Sequence, residues 1–337
     1  MNHTPLNVAL AMGPGVAPRI FPPRRLAQLA PELLLLDQEP MEEFTSSKSR
    51  DLLGITDILI TGWSCPTIDE AVLEAAPRLK HIIHAGGTVR HHVTDACWDR
   101  GIQVSTAADV NAVPVAEYTV AMILLANKRV LQLARMLHAE KDTVEPDLVF
   151  PDMGNYGKRV GIIGASKIGR HVIRLLASYD LEVVVSDPYL DDAAAASLGV
   201  ESVSLDELVA TSDVVSLHAP SLASTENLIN AGLIGRLKDG ATFINTSRGE
   251  LVDQAALLAR IQQGTVYAVL DVTTPWVLPA ESAFYTHPNV LLTPHMAGSL
   301  GTELERMSAS TIEEALRVAR GKPLRHALHA EDLAITA

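Results

Sequence analysis

Short apolar runs bounded by polar and turn residues recur along the whole chain. In the first part the runs Asn7–Met12, Leu33–Leu36, Asp57–Thr61, His81–His84 and Gln103–Thr106 are too short for helices and predict buried strands. Helical patterns lie between them, such as Thr67–Ala76, where Thr67 reads as the N-cap with Glu70 three residues later. Strands alternating with helices predict a parallel sheet. Around Asn111 the pattern changes. Val113–Ala134 is apolar on much of its circumference and predicts one helix of several turns, whereas Lys141–Tyr156 is polar and proline-bearing and predicts a loop. Alternation resumes at Gly157, with strands expected at Arg159–Ile163, Glu182–Ser186, Val214–His218, Thr242–Thr246, Val266–Asp271 and Val290–Thr293. A closing helix, Leu300–Arg320, stops at Gly321 with Pro323 beyond it and is expected to return to the first domain.

One junction carries chemistry. Val160-Gly161-Ile162-Ile163-Gly164-Ala165-Ser166-Lys167-Ile168-Gly169-Arg170 reads as a strand, a glycine turn and a helix start. Val183-Val184-Val185-Ser186-Asp187 follows as a second strand ending in an acid. This layout suits a dinucleotide: Gly164 makes the turn, the helix N-terminus faces the pyrophosphate, and Asp187 holds the ribose hydroxyls. Ser166 stands where the pattern G-x-G-x-x-G has its middle glycine, adding a Cβ but also a hydroxyl able to donate to a phosphate. A carboxylate at Asp187 would repel a 2′-phosphate, which favours NAD over NADP. The bland alternative is an ordinary strand-turn-helix whose glycines serve packing alone.

Length and composition narrow the classes. A chain of 337 residues suggests two domains, and 47% hydrophobic residues suffice for a sizeable core. A net charge of −13 argues against a nucleic-acid binder. Cys65 and Cys97 form no C-x-x-C pair, so reduced thiols are expected rather than a disulfide framework or a zinc site. No metal is expected, since the adjacent His91 and His92 rarely converge on one ion. The start of the chain lacks a basic n-region, and no uninterrupted apolar run reaches membrane-spanning length. These features are expected of a cytoplasmic protein with no membrane or nucleic-acid partner.

Two strand ends deliver reactive groups. Thr242-Phe243-Ile244-Asn245-Thr246-Ser247-Arg248-Gly249 presents an arginine, and Leu291-Leu292-Thr293-Pro294-His295-Met296-Ala297-Gly298 presents a histidine. Ligands of open α/β sheets bind beyond the carboxyl ends of strands. Arginine offers a fork for a carboxylate, and histidine moves protons near neutral pH. Together with a nicotinamide they could reduce a 2-oxo acid. An arginine in such a place also serves as a surface ion-pair partner, and a lone histidine as a structural residue. Spacing alone leaves both readings open.

The chain resembles the D-isomer-specific 2-hydroxyacid dehydrogenase family over nearly its whole length. The likeness rests on Ala76-Pro77-Arg78-Leu79-Lys80, Gly86-Gly87-Thr88, Arg100-Gly101-Ile102-Gln103-Val104, Asn111 to Glu117, Gly161 to Gly164, Leu217-His218-Ala219-Pro220, Leu228-Ile229-Asn230, Ile244 to Gly249, Leu251-Val252-Asp253, Leu270-Asp271-Val272 and Thr293 to Gly298, all in family order. It implies an α/β fold of two Rossmann-like or flavodoxin-like parallel-sheet domains. The substrate domain would be discontinuous (1–109 and 300–337), with an NAD-binding domain at 110–299 and a hinge near Asn111 and Gly298–Leu300. It implies a catalytic Arg248, a general acid/base His295, and a small anionic 2-oxo or 2-hydroxy acid held by amides of Gly86, Gly87 and Thr88. Cofactor contacts are implied at Gly164, Ser166, Lys167, Ile168, Gly169, Asp187, Pro220, Thr225, Thr246, Ser247, Asp271 and Gly298. A homodimer formed largely by the nucleotide domain is implied as well.

The family's histidine is hydrogen-bonded by a glutamate a few residues after the preceding Asp-Val. Here that segment reads Asp271-Val272-Thr273-Thr274-Pro275-Trp276-Val277-Leu278-Pro279, and Trp276 takes the glutamate's place. Without the carboxylate His295 should lose its proton at lower pH. Trp276 brings an apolar body to the pocket, able to exclude water or narrow the substrate range. Three outcomes stay open: a working enzyme with a lower pH optimum, a loop shift that lets Glu281 serve, or an NAD(H)-binding regulatory or interaction protein with a degenerate site. Oxidation of a different small anion is a further alternative. Arg90, His91 and His92 stand where many relatives have an aspartate nearby. They read as a solvated surface run or, alternatively, as helpers in binding an anion.

Overall fold

In the computed structural model, which describes residues 5–334, the strands are β1 (Leu6–Ala11), β2 (Leu33–Leu35), β3 (Ile58–Thr61), β4 (His81–His84), β5 (Gln103–Thr106), β6 (Lys158–Ile163), β7 (Leu181–Ser186), β8 (Glu201–Ser202), β9 (Val214–Leu217), β10 (Thr242–Asn245), β11 (Tyr267–Leu270), β12 (Val290–Leu292) and β13 (Ala327–Leu328). They build two sheets, one in each of two compact units. The first unit is Met1–Asn111 with Ser299–Ala337, and the second is Ala112–Gly298. Against the boundaries expected from the sequence, the first crossing falls two residues later and the second one residue earlier. Ser299 N donates to Asn111 Oδ1 (3.0 Å), tying the two crossing points together.

The first unit has strand order β13-β5-β4-β3-β1-β2, parallel except for β13 on β5. Strands β1 and β3 are apolar at all but one position each because both faces are covered. Val8, Leu10, Ile58, Ile60 and Ile83 pack into one core, and their chain neighbours Ala9, Ala11, Leu59 and Ile82 into the other. The second unit has the order β12-β11-β10-β9-β6-β7-β8, all parallel. The same alternation sends Val215, Phe243 and Ala268 to one core and Val214, Ile244 and Val269 to the other. The strand order reverses at the β6/β9 boundary, where open α/β sheets place their ligands.

Several elements differ from the sequence reading. The cap of the helix Glu70–Ala75 is Asp69, whose Oδ1 accepts from Val72 N (3.0 Å), not Thr67. A bridge between Ile68 and Val93 keeps the chain extended past Thr67. The apolar stretch after Asn111 forms two helices, Ala108–Asn127 and Val130–Glu140. Between them Arg129 adopts a left-handed conformation (φ +54°) that seats its guanidinium 4.8 Å from the centre of the Tyr267 ring, with Nη2 donating to Gly240 O (2.7 Å). The loop expected at Lys141–Tyr156 contains a helical turn, Pro146–Val149. The closing helix is a 3-10 turn, Gly301–Glu303, followed by Leu304–Ala319. Helix Ala108–Asn127 is long and apolar enough to cross a membrane by length and composition, although Asp109 and Glu117 interrupt its apolar run. Its Ala116, Val120, Ile123 and Ala126 are buried in the second unit's core.

The run Arg90-His91-His92 is not uniformly a solvated surface. Arg90 and His91 are exposed, but His92 is buried against His84, with ring centres 4.6 Å apart. Thr61 Oγ1 bridges them, 2.9 Å from His84 Nδ1 and 3.2 Å from His92 Nε2. Burial drives the proton affinity of His84 well down and that of His92 to about 4. Between the unfolded value near 6.5 and these depressed values the unfolded chain binds more protons, so folded-state stability is lost as pH falls through that window. The urea midpoint is expected to drop between about pH 7 and about pH 5. A midpoint independent of pH there would mean that the pair takes up protons in the folded protein as readily as in the unfolded chain.

Candidate active site

The turn after β6 is shaped by two glycines. Gly164 has φ +94°, and a Cβ there would lie 2.7 Å from Ala219 N. A Cβ on Gly169 would lie 2.0 Å from Gly164 O, so helix Lys167–Leu176 packs directly on the turn. Ser166 has ordinary backbone angles (φ −63°) that demand no glycine. It is the helix N-cap, its Oγ accepting from Gly169 N (3.3 Å), which leaves the hydroxyl proton free to donate. Asp187, at the end of β7, accepts from Ala165 N (2.6 Å) and Tyr189 N (2.8 Å), so it braces the glycine turn as well as presenting a carboxylate. Lys167 is exposed and Ile168 half-buried at the helix start. On the β9 side, Thr225 Oγ1 donates to Pro220 O (2.6 Å) and accepts from Leu222 N (2.9 Å), closing the Pro220 loop. An acid at the second strand's end, a capped helix N-terminus and a turn with no room for a Cβ fit a dinucleotide.

Three neighbouring strands, β10, β11 and β12, end in the remaining groups. Asn245 organises the first: its Oδ1 accepts from Ser247 N (2.9 Å) and its Nδ2 donates to Arg248 O (2.8 Å). The sequence reading gave Asn245 no role, although asparagine at a strand end is the usual sign of such a turn. Ser247 Oγ donates to Leu217 O (2.8 Å), and Thr246 Oγ1 lies 3.3 Å from Thr119 Oγ1. Arg248 is half-buried, with Nη1 donating to its neighbour's carbonyl, Ser247 O (2.7 Å). Burial lowers its proton affinity and Glu250 opposes the effect.

Asp271, at the end of β11, is buried and holds the histidine loop. Its Oδ1 accepts from Thr293 Oγ1 (2.6 Å) and Met296 N (2.8 Å), and its Oδ2 from Ala297 N (2.9 Å). The chain is thereby bent so that His295 takes a left-handed conformation (φ +53°), its N donating to Asp271 O (3.0 Å). Gly298 is half-buried at the end of this loop. His295 Nδ1 is buried without a hydrogen-bond partner. Burial lowers the proton affinity of His295, Asp271 raises it, and the Arg248 guanidinium lowers it further. His295 therefore feels the Arg248 charge.

The indole of Trp276 lies against the imidazole of His295, with ring centres 4.4 Å apart and planes tilted by 32°. The Trp276 loop is locked to the arginine loop. A Cβ on Gly249 would fall 2.2 Å from Thr273 C and 2.4 Å from Thr274 N, a close approach only glycine permits. Gln254 grips Thr274 from both sides, donating to its carbonyl and accepting from its N (3.2 Å). Thr273 Oγ1 donates to Pro275 O (2.9 Å). Glu281 is exposed.

In the first unit, Gly86, Gly87 and Thr88 follow β4. Gly86 is buried, Gly87 and Thr88 half-buried. A Cβ on Gly86 would lie 2.4 Å from His84 Nε2, so this imidazole underlies the loop. Cys65 and Cys97 are both buried and free, and among the described residues no cluster of metal-ligating side chains occurs.

Residues 120–297 match the model of the NAD-binding domain of D-isomer specific 2-hydroxyacid dehydrogenases. A D-3-phosphoglycerate dehydrogenase of Mycobacterium tuberculosis is 34% identical over 261 residues, 76% of this chain and 48% of that protein. The chain thus spans about half the length of such curated relatives. Among solved structures, a phosphoglycerate oxidoreductase from Rhizobium etli superposes with a TM-score of 0.80 at 25% identity, covering 97% of this chain and 98% of that one. A D-lactate dehydrogenase from Aquifex aeolicus, complexed with NAD and lactic acid, gives a TM-score of 0.71 at 25% identity, covering 94% and 96%.

Proposed function

Because the chain belongs to the D-isomer-specific 2-hydroxyacid dehydrogenase family and has that family's NAD-binding domain, we propose that it interconverts a small 2-oxo acid and the D-2-hydroxy acid. The observation that carries this reading is that β10 and β12, on either side of β11, deliver Arg248 and His295 beyond the same carboxyl edge of the sheet, with buried Asp271 at the end of β11 between them. NADH, when bound, supplies the hydride for the carbonyl carbon. Gly164, Ser166, Gly169 and Asp187 would hold it, with Pro220, Thr225 and the strand ends from Thr246 to Ser247 along its path. Arg248 receives the acid's carboxylate as a bidentate partner. His295 gives a proton to the carbonyl oxygen during reduction and takes it back during oxidation. Asp271 keeps the histidine loop in place. The exposed apolar residues Leu137, Leu148 and Tyr156 of the second unit support a homodimer through that unit.

The direction of the reaction depends on the missing carboxylate. Reduction needs protonated His295, and burial next to Arg248 disfavours that form. Reductive turnover is therefore expected to rise on acidification, whereas oxidation draws on the neutral imidazole and persists at neutral pH. Trp276→Glu places a carboxylate beside the ring, favours the charged form, and moves the reductive profile to higher pH. The two pH profiles of kcat/KM check this: superimposable profiles would show that the carboxylate is irrelevant to His295.

The same missing partner favours a second reading, an NAD(H)-binding regulatory or interaction protein with a degenerate site. NADH oxidation with glyoxylate, pyruvate, hydroxypyruvate and phenylpyruvate, at acidic and neutral pH, separates the two. Turnover supports the enzyme; demonstrable NADH binding without turnover on any acid supports the second reading.

A further inference from the structure

The groups around His295 describe the side chain of the acid as well as its head. We infer that the acid this site takes carries an apolar side chain, and that Trp276, flanked by Val277 and with Met296 beside His295, selects it. The inference rests on the reading proposed above. Trp276 lies against the imidazole on one side, yet 65% of its surface is open. Val277 is 73% and Met296 45% exposed. A large apolar side chain left open while lying against a proton donor marks a subsite rather than a core.

Charge points the same way. Two charged groups act on His295, Asp271 and Arg248. Asp271 is buried and spent on three donors of its own loop. Arg248 is the cation that acts on His295, and the acid's carboxylate occupies it. A phosphate on the side chain would face the indole, whose ring face is electron-rich and repels anions. An aryl or branched alkyl group stacks there instead. The close Gly249/Thr273–Thr274 contact fixes the backbone just before Trp276, which favours a subsite formed before the acid arrives.

The test is NADH oxidation by the whole chain with phenylpyruvate, 4-methyl-2-oxopentanoate, glyoxylate and 3-phosphohydroxypyruvate. Both apolar acids are expected to exceed 3-phosphohydroxypyruvate in kcat/KM by about 10-fold or more. Trp276→Ala is expected to lower kcat/KM for phenylpyruvate about 10-fold relative to glyoxylate, and Trp276→Phe to keep most of the wild-type ratio. Thermal unfolding controls for folding, which an exposed side chain should scarcely affect. Calorimetric binding of the same acids to the NADH-loaded protein gives a second ranking. Preference for 3-phosphohydroxypyruvate, or equal losses on phenylpyruvate and glyoxylate in Trp276→Ala, would overturn the inference while leaving the oxidoreductase reading intact. Selective binding of apolar acids without turnover would overturn that reading and uphold the subsite. Neither binding nor turnover would overturn both.

Discussion

Replacing His295 with asparagine is expected to lower kcat for 2-oxo acid reduction by about 100- to 10,000-fold, the range a positioned proton donor contributes. NADH affinity should stay at its wild-type level, because the glycine turn and Asp187 lie on other strands of the sheet. Asparagine suits the test for a backbone reason. His295 sits at φ +53°, and asparagine is among the few residues that accept the left-handed region readily. The loop tied down by Asp271 should thus keep its course, and the variant removes the proton donor without removing its setting. Steady-state kcat and NADH titration by fluorescence measure the two quantities. A kcat that survives the substitution would assign proton transfer to solvent and make His295 a structural residue.

Arg248→Lys should act on the other half of the substrate. The lysine keeps a charge but loses the planar fork that meets both carboxylate oxygens. A charge-assisted hydrogen bond lost at a half-buried site corresponds to a KM raised about 10- to 100-fold. Lysine also forfeits the bond from Nη1 to Ser247 O that aims the side chain. The effect should fall on KM for the acid and leave NADH binding alone. An unchanged KM would mean that the carboxylate is held elsewhere, with the Gly86–Thr88 amides as the remaining candidate. Because His295 feels the Arg248 charge, the two substitutions are close enough to be non-additive, which a double variant would reveal.

The buried strands were legible because apolar runs with both faces covered have little else to become. Glycine positions were legible too: Gly164 and Gly169 stand where a Cβ would strike backbone atoms, a constraint that composition near a strand end already betrays. Helix limits were less so. Thr67 is as good a cap by type as Asp69, and only the bridge from Ile68 to Val93 decides between them. Arg129 looks helical in an apolar stretch until the tertiary partners of its guanidinium, Tyr267 and Gly240 O, are known. β8 and β13, two residues each, are too short for any periodicity to register. His92 was misread for a similar reason. Two polar neighbours, Arg90 and His91, made it look like surface, and its burial depends on Thr61 and His84 from separate strands. At the site, Arg248, His295 and Trp276 were visible as residue types in place. Asn245 and Asp271 as organisers of the two loops were not, since their work is done by hydrogen bonds to backbone that no residue pattern displays.

The indole lying over His295 gives the imidazole a restraint of a different physical kind from that of a carboxylate partner. A carboxylate holds an imidazole by charge, and where solvent reaches such a pair dissolved ions weaken it, over a screening length of about 8 Å at physiological salt. An aromatic face held in place by the close fit of Gly249 against Thr273 and Thr274 acts through contact and dispersion. Its grip on His295 is therefore indifferent to ionic strength, and the orientation of the ring is a matter of shape rather than of the ionic medium.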